Sequence, residues 1–365
     1  MRENIYYWKC DSSLPPEEKR KLFFKDKYSS ESFLRLANRC VELWQGEPPA
    51  SITGADCDGN HFAFIVTLRS GTKVFLRGDE GAGDDYMIAE TAAMTLAAQH
   101  GIPVPKTLFS SVADNELGAN FQILEWVDHK TLDTFHKDGS IKLERIAAQL
   151  GLYLQQLHAI KIDGFGFLDT SALKAGEPMR GLCGSYTDYF HTKLDEHLNY
   201  LEQSAFLAHG EIANIRAIIK DGADVLKIGQ GSLTHRDAAL WNVLGTPTDI
   251  KAIIDWDDCV SGEPADDLGM LLCLYNPDFT KPLLNSYANG TEPDAPFMRK
   301  VWLHMLRNML WKAKLRDSLG YFDRGAGFFI NMPGESASLK ETTRARIRNA
   351  IDYFKNTDKQ HNREY

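Results

Sequence analysis

Cysteine and long apolar runs are scarce in this chain of 365 residues. The six cysteines are scattered and form no C-x-x-C pair, which argues against a disulfide framework and against a zinc site. No run approaches the roughly 18 apolar residues that a membrane span requires. The first ten residues also lack the apolar core of a signal peptide. We therefore expect a cytoplasmic protein, in a reducing environment, that does not interact with a membrane.

The chain also lacks an excess of positive charge. Its 50 acidic and 41 basic residues give a formal charge of −9 at pH 7, whereas nucleic-acid-binding proteins normally present a basic surface. We therefore expect no nucleic-acid partner. A negative surface would suit a cationic ligand, although solubility alone explains the charge of most acidic proteins. The length is too great for one compact core and fits two lobes.

The most informative segment contains Asp237, then Asn242 five residues later, then Asp255 after a further thirteen. It is typical of a loop between short strands, followed by a strand that ends in a carboxylate. Kinases space an aspartate for the acceptor hydroxyl, an asparagine for metal and a second metal-binding aspartate in this way. Oxygen ligands also suit Mg²⁺. The spacing predicts these three residues as catalytic, with Asn242 and Asp255 holding the metal. The alternative is a helix N-cap, a turn residue and an ordinary strand-end carboxylate.

The motifs His235-Arg236-Asp237…Asn242, Ile254-Asp255-Trp256 and Gly262-Glu263-Pro264-Ala265-Asp266-Asp267-Leu268 resemble the aminoglycoside phosphotransferase and choline kinase-like family. The resemblance extends from about residue 50 to residue 275. Protein kinases place Phe-Gly where this chain has Trp256, and neither Asp-Phe-Gly nor Ala-Pro-Glu is visible. The resemblance implies an α+β, bilobal, protein-kinase-like fold. We expect a small lobe of five antiparallel strands and a mainly helical large lobe, with ATP in the cleft between them.

The expected organisation has four parts: an N-terminal extension and helix (1–50), a small nucleotide-binding lobe (51–127), a helical catalytic and substrate lobe (128–355) and a fraying tail (356–365). Apolar spacing predicts helices at 30–44, 84–100, 143–160, 187–201, 211–226, 297–317 and 339–354. Alternating and β-rich runs predict strands at 62–68, 73–77 and 121–127.

A cation on the strand at 73–77 is expected to contact the nucleotide phosphates. Lys73 and Arg77 share one face of this strand, and the resemblance favours Arg77. The kinase pattern implies Glu90, on the following helix, as its ion-pair partner. Gly54 lies in the preceding hairpin, where glycine would let backbone amides approach phosphate; an ordinary turn is the alternative.

Other assignments depend on the resemblance alone. Backbone groups of Glu125 and Val127 are expected to bind the adenine edge. Asp267 is expected to brace the catalytic loop from below. His158 is interpreted as a packed helix histidine and not as a catalyst.

Two further assignments concern residues beside the motifs. His235 is interpreted as holding the catalytic loop by hydrogen bonds. Asp257 and Asp258 follow the metal-binding aspartate, and we interpret them as solvated surface carboxylates, with a contact to substrate as the alternative.

The resemblance implies ATP- and Mg²⁺-dependent transfer of the γ-phosphate to a hydroxyl of a small molecule. The acceptor is expected to be an aminoglycoside-type antibiotic or a related metabolite. A kinase for choline, homoserine or a sugar would share every catalytic residue, and a catalytically silent nucleotide-binding module is the alternative of another class. The sequence leaves open the acceptor, the choice of ATP over GTP and the oligomeric state.

Overall fold

The structure is a computed structural model that describes residues 31–55, 61–80, 85–112, 116–323 and 337–361. The predictions for residues 1–30 lie outside the described residues. No helix in the described part of the chain combines the length and apolar character needed to cross a membrane.

The small lobe contains one antiparallel sheet of five strands, as predicted, in the order β1-β2-β3-β5-β4. Its elements are α1 (Glu31–Gln45), β1 (Ser51–Gly54), β2 (Phe62–Thr67), β3 (Lys73–Glu80), α2 (Met87–Gln99), β4 (Thr107–Ser111) and β5 (Ala119–Glu125).

One face of this sheet packs against α1. Phe62, Phe64 and Val66 alternate along β2 with half-buried residues, as the period of two requires. Their side chains meet the buried face of α1, where the rings of Phe33 and Phe62 lie 6.0 Å apart. The apolar face of the sheet is thus used for packing, which leaves the opposite face of β3 to carry Arg77 towards the large lobe.

The large lobe is mainly helical, as predicted. Its helices are α3 (Leu132–Lys137), α4 (Leu143–His158), α5 (Thr170–Lys174), α6 (Tyr186–His191), α7 (Leu194–Gln203), α8 (His209–Asp221), α9 (Pro264–Leu272), α10 (Pro277–Tyr287), α11 (Ala295–Ser318) and α12 (Leu339–His361). Three 3₁₀ turns lie at Ala223–Leu226, Leu240–Asn242 and Tyr321–Asp323.

Short strands form two further sheets that carry the catalytic segment. The strands are β6 (Lys130–Thr131), β7 (Lys161–Ile162), β8 (Phe165–Leu168), β9 (Gly181–Cys183), β10 (Gly231–Thr234), β11 (Val243–Gly245), β12 (Ile250–Ile253) and β13 (Val260–Gly262). They are arranged in the orders β7-β10-β13-β8-β9 and β12-β11-β6. The catalytic loop therefore leaves one sheet at β10 and enters the other at β11.

Two helix predictions are corrected. The helix expected at 187–201 is divided into α6 and α7, because Lys193 adopts a left-handed backbone conformation with φ of 57°. The helix expected to end at 354 continues to His361, so helical structure replaces the first part of the predicted tail.

Candidate active site

The catalytic segment brings Asp237, Asn242 and Asp255 to one side of the cleft. Asp237 lies in the loop after β10, Asn242 ends the following 3₁₀ turn, and Asp255 follows β12. Antiparallel pairing of β11 with β12 places these segments side by side, and the Ile254 amide donates to the Asn242 carbonyl at 2.9 Å. The sequence spacing therefore corresponds to spatial convergence.

One oxygen of the Asp237 carboxylate is held in place. Oδ2 accepts hydrogen bonds from the Asn242 amide at 2.8 Å and from the Trp241 indole at 3.3 Å. Oδ1 accepts no hydrogen bond from the described residues. Burial raises the pKa of Asp237, the Lys312 ammonium opposes this shift, and the carboxylate of Asp255 adds to it. A fixed carboxylate with one available oxygen can orient a hydroxyl and accept its proton.

Arg77 joins the small lobe to the site. Its guanidinium pairs with Glu90 on α2 and, at 3.0 Å, with Asp255 across the cleft. Arg77 and Glu90 are buried, 6% and 1% exposed, whereas Lys73 is exposed. The structure thus places the predicted arginine–glutamate pair together and leaves Lys73 outside the cleft. Burial raises the pKa of Glu90 against the effect of Arg77.

The backbone of the catalytic loop is held by Asp267 on α9, as expected. Its carboxylate accepts the backbone amides of His235, at 2.9 Å, and of Arg236. The ring of His158 donates to the same carboxylate at 2.9 Å, so His158 is part of this support and does not face the cleft. Burial alone would raise the pKa of Asp267, but these hydrogen bonds hold it below its ordinary value.

His235 ties the two catalytic segments together. Its Nε2 donates to the Ile254 carbonyl at 3.1 Å, and its Nδ1 accepts from the Asp237 amide at 3.2 Å. The ring lies 4.6 Å from the ring of buried Trp256. This is the loop-holding arrangement expected from the sequence.

Arg236 points away from the cleft into the large lobe. It adopts a φ of 69° and pairs with Asp266 at 3.2 Å. Its guanidinium also donates to Asn308 on α11 at 3.1 Å. The catalytic loop is thus attached to α9 and α11 from behind.

The donor set fits a magnesium ion. The nitrogen of the Asn242 amide donates to Asp237, so its oxygen is left to act as a ligand. The side chain of Asp255 is 42% exposed and carries two further oxygens. These hard oxygen donors at an accessible position are those that Mg²⁺ prefers.

His61 was not identified from the sequence. It directly follows residues 56–60, which lie outside the described residues, and its ring donates to Asp79 at 2.9 Å and to Asp257 at 3.1 Å. Burial opposes the charged ring, but the two carboxylates raise its pKa to about 9. Ligand atoms of His61, Asp255 and Asp257 lie within 4.8 Å of one another, and a metal ion held there would require His61 to lose one of the ring protons that it donates in this structure.

The interpretation of Asp257 as a solvated surface carboxylate is wrong, whereas for Asp258 it stays a prediction. Both are half-buried, and Asp257 is hydrogen-bonded to the small lobe through His61. The reason is interlobe packing, which brings β2 over the segment after β12 and which local sequence does not encode.

The remaining nucleotide-binding predictions concern backbone positions. Glu125 ends β5 and its amide donates to the Lys106 carbonyl at 2.8 Å, while the Val127 carbonyl accepts from His129. Both residues lie on the connection between the lobes. Gly54 ends β1 on the surface, and a Cβ there would meet nothing within 4 Å, so packing among the described residues does not require glycine.

Lys312 on α11 is the other residue that the sequence did not indicate. It is half-buried, and its ammonium lies 4.8 Å from the centre of the Trp311 ring. Burial lowers the pKa of Lys312, and the carboxylates of Asp237 and Asp258 oppose this shift. A basic residue 75 positions after Asp237 carries no local signal that would relate the two.

Comparison with known proteins gives a family match and a curated relative. The sequence profile described as the phosphotransferase enzyme family matches residues 58–301. Acyl-CoA dehydrogenase family member 11 of Rattus norvegicus is 25% identical over 190 residues. That match covers 51% of this chain and 22% of the relative, so the chain spans about a fifth of that protein's length.

Solved structures resemble the whole described fold. A putative fructosamine-3-kinase from Thermobifida fusca is 18% identical with a TM-score of 0.58, covering 85% of this chain and 98% of that one. An aminoglycoside phosphotransferase APH(4)-Ia mutant with AMP-PNP and hygromycin B is 16% identical, with a TM-score of 0.60 and coverages of 85% and 97%. Macrolide 2′-phosphotransferase MphH from Brachybacterium faecium is 18% identical, with a TM-score of 0.54 and coverages of 81% and 97%.

Proposed function

Because the chain belongs to the phosphotransferase enzyme family, we propose that it transfers the γ-phosphate of ATP to a hydroxyl of a small molecule, with Mg²⁺. The observation that carries the proposal is the arrangement of Asp237. One of its carboxylate oxygens is fixed by Asn242 and Trp241, and the other is available beside the metal-binding Asp255.

In this reaction Asp237 orients the acceptor hydroxyl and takes its proton. The transition state of phosphoryl transfer is loose, so correct placement of the hydroxyl matters more than strong basicity. The hydrogen bonds to Oδ2 fix the direction of Oδ1, and the raised pKa of the buried carboxylate favours acceptance of the proton.

Arg77 supplies positive charge for the nucleotide phosphates, and Glu90 holds it in position. The Mg²⁺ ion, held by Asn242 and Asp255, would neutralise charge on the phosphate oxygens. The guanidinium that contacts Asp255 in this structure lies beside the expected phosphate position. Gly54, at the end of β1, would let backbone amides approach the phosphates.

We assign the adenine edge to the backbone of Glu125 and Val127, on the connection between the lobes. Among the described residues, the Val127 amide donates no hydrogen bond to a backbone carbonyl. That amide is therefore available to a base. We place the lobe boundaries at residues 51–127 and 128–355, in agreement with the position of this connection.

The acceptor is a small molecule that carries a hydroxyl. The names of the structural relatives mention fructosamine, an aminoglycoside and a macrolide, which differ widely in size and charge. This breadth supports the reaction class and does not favour one antibiotic. APH(4)-Ia was crystallised with AMP-PNP and with ADP, and a further structural relative, APH(2")-IIia, with GDP and kanamycin, which supports nucleotide binding.

The test is the substitution Asp237→Ala, with Asp278→Ala at an exposed position of α10 as the control. Loss of the catalytic carboxylate should lower kcat by about 10²- to 10⁴-fold, because general-base groups contribute that much. Turnover is measured as ADP release with a panel of aminoglycosides, macrolides, choline, sugars and hydroxy acids. Calorimetry with AMP-PNP should give equal nucleotide affinity in both variants. Wild-type turnover in Asp237→Ala would refute the assigned role, and absence of turnover in the wild type would favour a silent nucleotide-binding module.

A further inference from the structure

Three consecutive residues of the large lobe, residues 255–257, are each bonded to a different residue of the small lobe. Arg77 donates to the carboxylate of the first at 3.0 Å, and Glu90 accepts the backbone amide of the second at 3.2 Å. His61 donates to the carboxylate of the third at 3.1 Å. The expected arginine–glutamate pair accounts for the first two bonds, and the bond from His61 is left without a function.

The backbone of this segment needs support at the residue proposed to bind metal. Asp255 adopts a φ of 64°, in the left-handed region that is unfavourable for a residue with a side chain. Its carboxylate is 42% exposed, so packing does not enclose it. Trp256, directly after it, is fully buried and fixes the middle of the segment. The direction of the Asp255 carboxylate therefore depends on the bonds that the small lobe makes to the segment.

The ring of His61 reaches the segment from the cleft-facing side of the small-lobe sheet. Arg77 and Asp79 share one face of β3, and the second nitrogen of the His61 ring lies 2.9 Å from the Asp79 carboxylate. Ionised carboxylates only accept hydrogen bonds, so a ring between the carboxylates of Asp79 and Asp257 donates from both nitrogens. Its side chain is 12% exposed, which protects these two charge-assisted hydrogen bonds from water.

We infer that His61 is a positioning residue for the proposed metal site: by holding Asp257 against the small lobe, it keeps Asp255 in the orientation that binds Mg²⁺. The inference rests on the proposed function and adds a residue to it. His61 acts through Asp257 and touches neither the nucleotide nor the metal. Loss of this bond lets the segment relax from the left-handed conformation at Asp255, which weakens metal binding and leaves the contacts of Arg77 with the phosphates in place.

The test measures the affinity for AMP-PNP by calorimetry over a series of free Mg²⁺ concentrations and in EDTA. In His61→Ala, the Mg²⁺ concentration that gives half of the gain in affinity should rise by about tenfold, because one charge-assisted hydrogen bond has a free energy of that order. The affinity in EDTA should stay at the wild-type value. His209→Ala, at an exposed position of α8, is the control and should match the wild type in both measurements.

Two further variants separate this role from a general loss of stability. Asp257→Ala should raise the Mg²⁺ requirement as His61→Ala does, and the double variant should raise it no further, because both substitutions remove the same bond. His61→Gln should recover part of the loss, since its side-chain amide can still donate to a carboxylate. If His61→Ala does not fold, His61→Gln replaces it in this comparison and should show a smaller loss of the same kind.

Three results would overturn the inference. An unchanged Mg²⁺ requirement in His61→Ala would show that the segment keeps its orientation without this bond. An equal loss of affinity with Mg²⁺ and in EDTA would place the ring on the nucleotide phosphates. Additive effects in the double variant would mean that His61 acts by a route other than Asp257. Failure of the proposed function is recognised separately, as absence of Mg²⁺-dependent AMP-PNP binding in the wild type.

Discussion

Asp267 is the residue on which the shape of the catalytic loop depends most directly. Arg236 adopts a φ of 69°, a conformation that is unfavourable for a residue with a side chain. The Asp267 carboxylate holds this conformation by accepting hydrogen bonds from the backbone amides of His235 and Arg236. His158, from α4, completes the support. The orientation of Asp237 therefore depends on a residue 30 positions later that does not itself face the cleft.

This arrangement predicts a pH-dependent stability term. The folded-state pKa of Asp267 is lower than its unfolded value of about 3.9. The stabilisation of the folded state by ionised Asp267 is therefore complete above the unfolded-state pKa. It is lost as the pH falls through the lower folded-state pKa. Asp267→Asn should reduce the free energy of unfolding by about 3 kcal/mol at pH 7.

Urea unfolding between pH 7 and pH 3 measures this effect. The difference in the free energy of unfolding between wild type and Asp267→Asn should be constant near neutral pH and should become smaller in the acid range. Asp352→Asn, at an exposed position of α12, provides the matched control. A difference that grows on acidification would contradict the assignment of a lowered pKa.

The convergence of Asp237, Asn242 and Asp255 was predictable because their spacing is local. Asp237, Asn242 and Asp255 lie within 19 residues of one another, and the strands between them are short. The choice between Lys73 and Arg77 was less certain, since both share a strand face and the decision depends on where α2 and the large lobe approach β3. Burial of Arg77 between Glu90 and Asp255 favours Arg77.

At the scale of elements, the close contact between α4 and α10 depends on one glycine. A Cβ on Gly151 would lie 2.3 Å from the carbonyl oxygen of Leu283, a backbone atom that cannot move aside. The neighbouring side chains Leu150 and Leu154 are fully buried, so the two helices have little freedom to separate. This contact positions α4, and with it His158 beneath the catalytic loop.

Gly151→Ala should therefore destabilise the protein by about 1–3 kcal/mol through overpacking, despite the higher helix propensity of alanine. The control is Gly210→Ala in α8, where a Cβ would meet nothing within 4 Å. That substitution should be neutral or stabilising, by up to about 1 kcal/mol. Thermal and urea unfolding of the two variants measure the contrast. Equal stability would mean that α4 and α10 adjust to the added methyl group.

Long elements were predicted well and short ones poorly. The apolar period gave α1 and α4 to within a few residues, because each helix shows several turns of one buried face. Helix α11 was located as closely, although it is buried on every side from Leu303 to Trp311. The strands of the large lobe contain two to four residues, too few to show an alternation. The break between α6 and α7 depends on a left-handed Lys193, a residue type that gives no warning of it.

At the scale of the molecule, the described residues form two apolar clusters, and the larger one also includes small-lobe residues such as Leu124. The small-lobe core lies between α1 and the sheet, and the large-lobe core extends from α2 to α12. Direct bonds across the cleft join Arg77 to Asp255 and His61 to Asp257. His61 and Lys312 escaped sequence analysis for the same reason: each acts on a residue far away in the chain, and only the folded structure brings them together.

Asp255 contacts the small lobe and belongs to the proposed metal site. Its removal should abolish the Mg²⁺-dependent part of the stabilisation by nucleotide and leave the Mg²⁺-independent part. A ligand that binds the folded state stabilises it by about 2.7 kcal/mol at 100 times its Kd. Wild-type protein should therefore gain several degrees in Tm with AMP-PNP and Mg²⁺, and less when EDTA is present. Asp255→Ala should show the same small gain with and without Mg²⁺, because the carboxylate that holds the metal is absent.

A stability change in the nucleotide-free state must be distinguished from this loss of metal dependence. Asp255→Ala also removes the ion pair with Arg77, so the Tm without nucleotide is expected to change as well. For each variant, the Tm gain caused by AMP-PNP with Mg²⁺ is compared with the gain in EDTA. The difference between these two gains does not contain the change in the Tm of the nucleotide-free protein. Asp258→Ala, half-buried and three residues further on, should keep the wild-type difference. A full Mg²⁺-dependent shift in Asp255→Ala would place the metal elsewhere, and the cluster of His61 with Asp257 would then be the site to test.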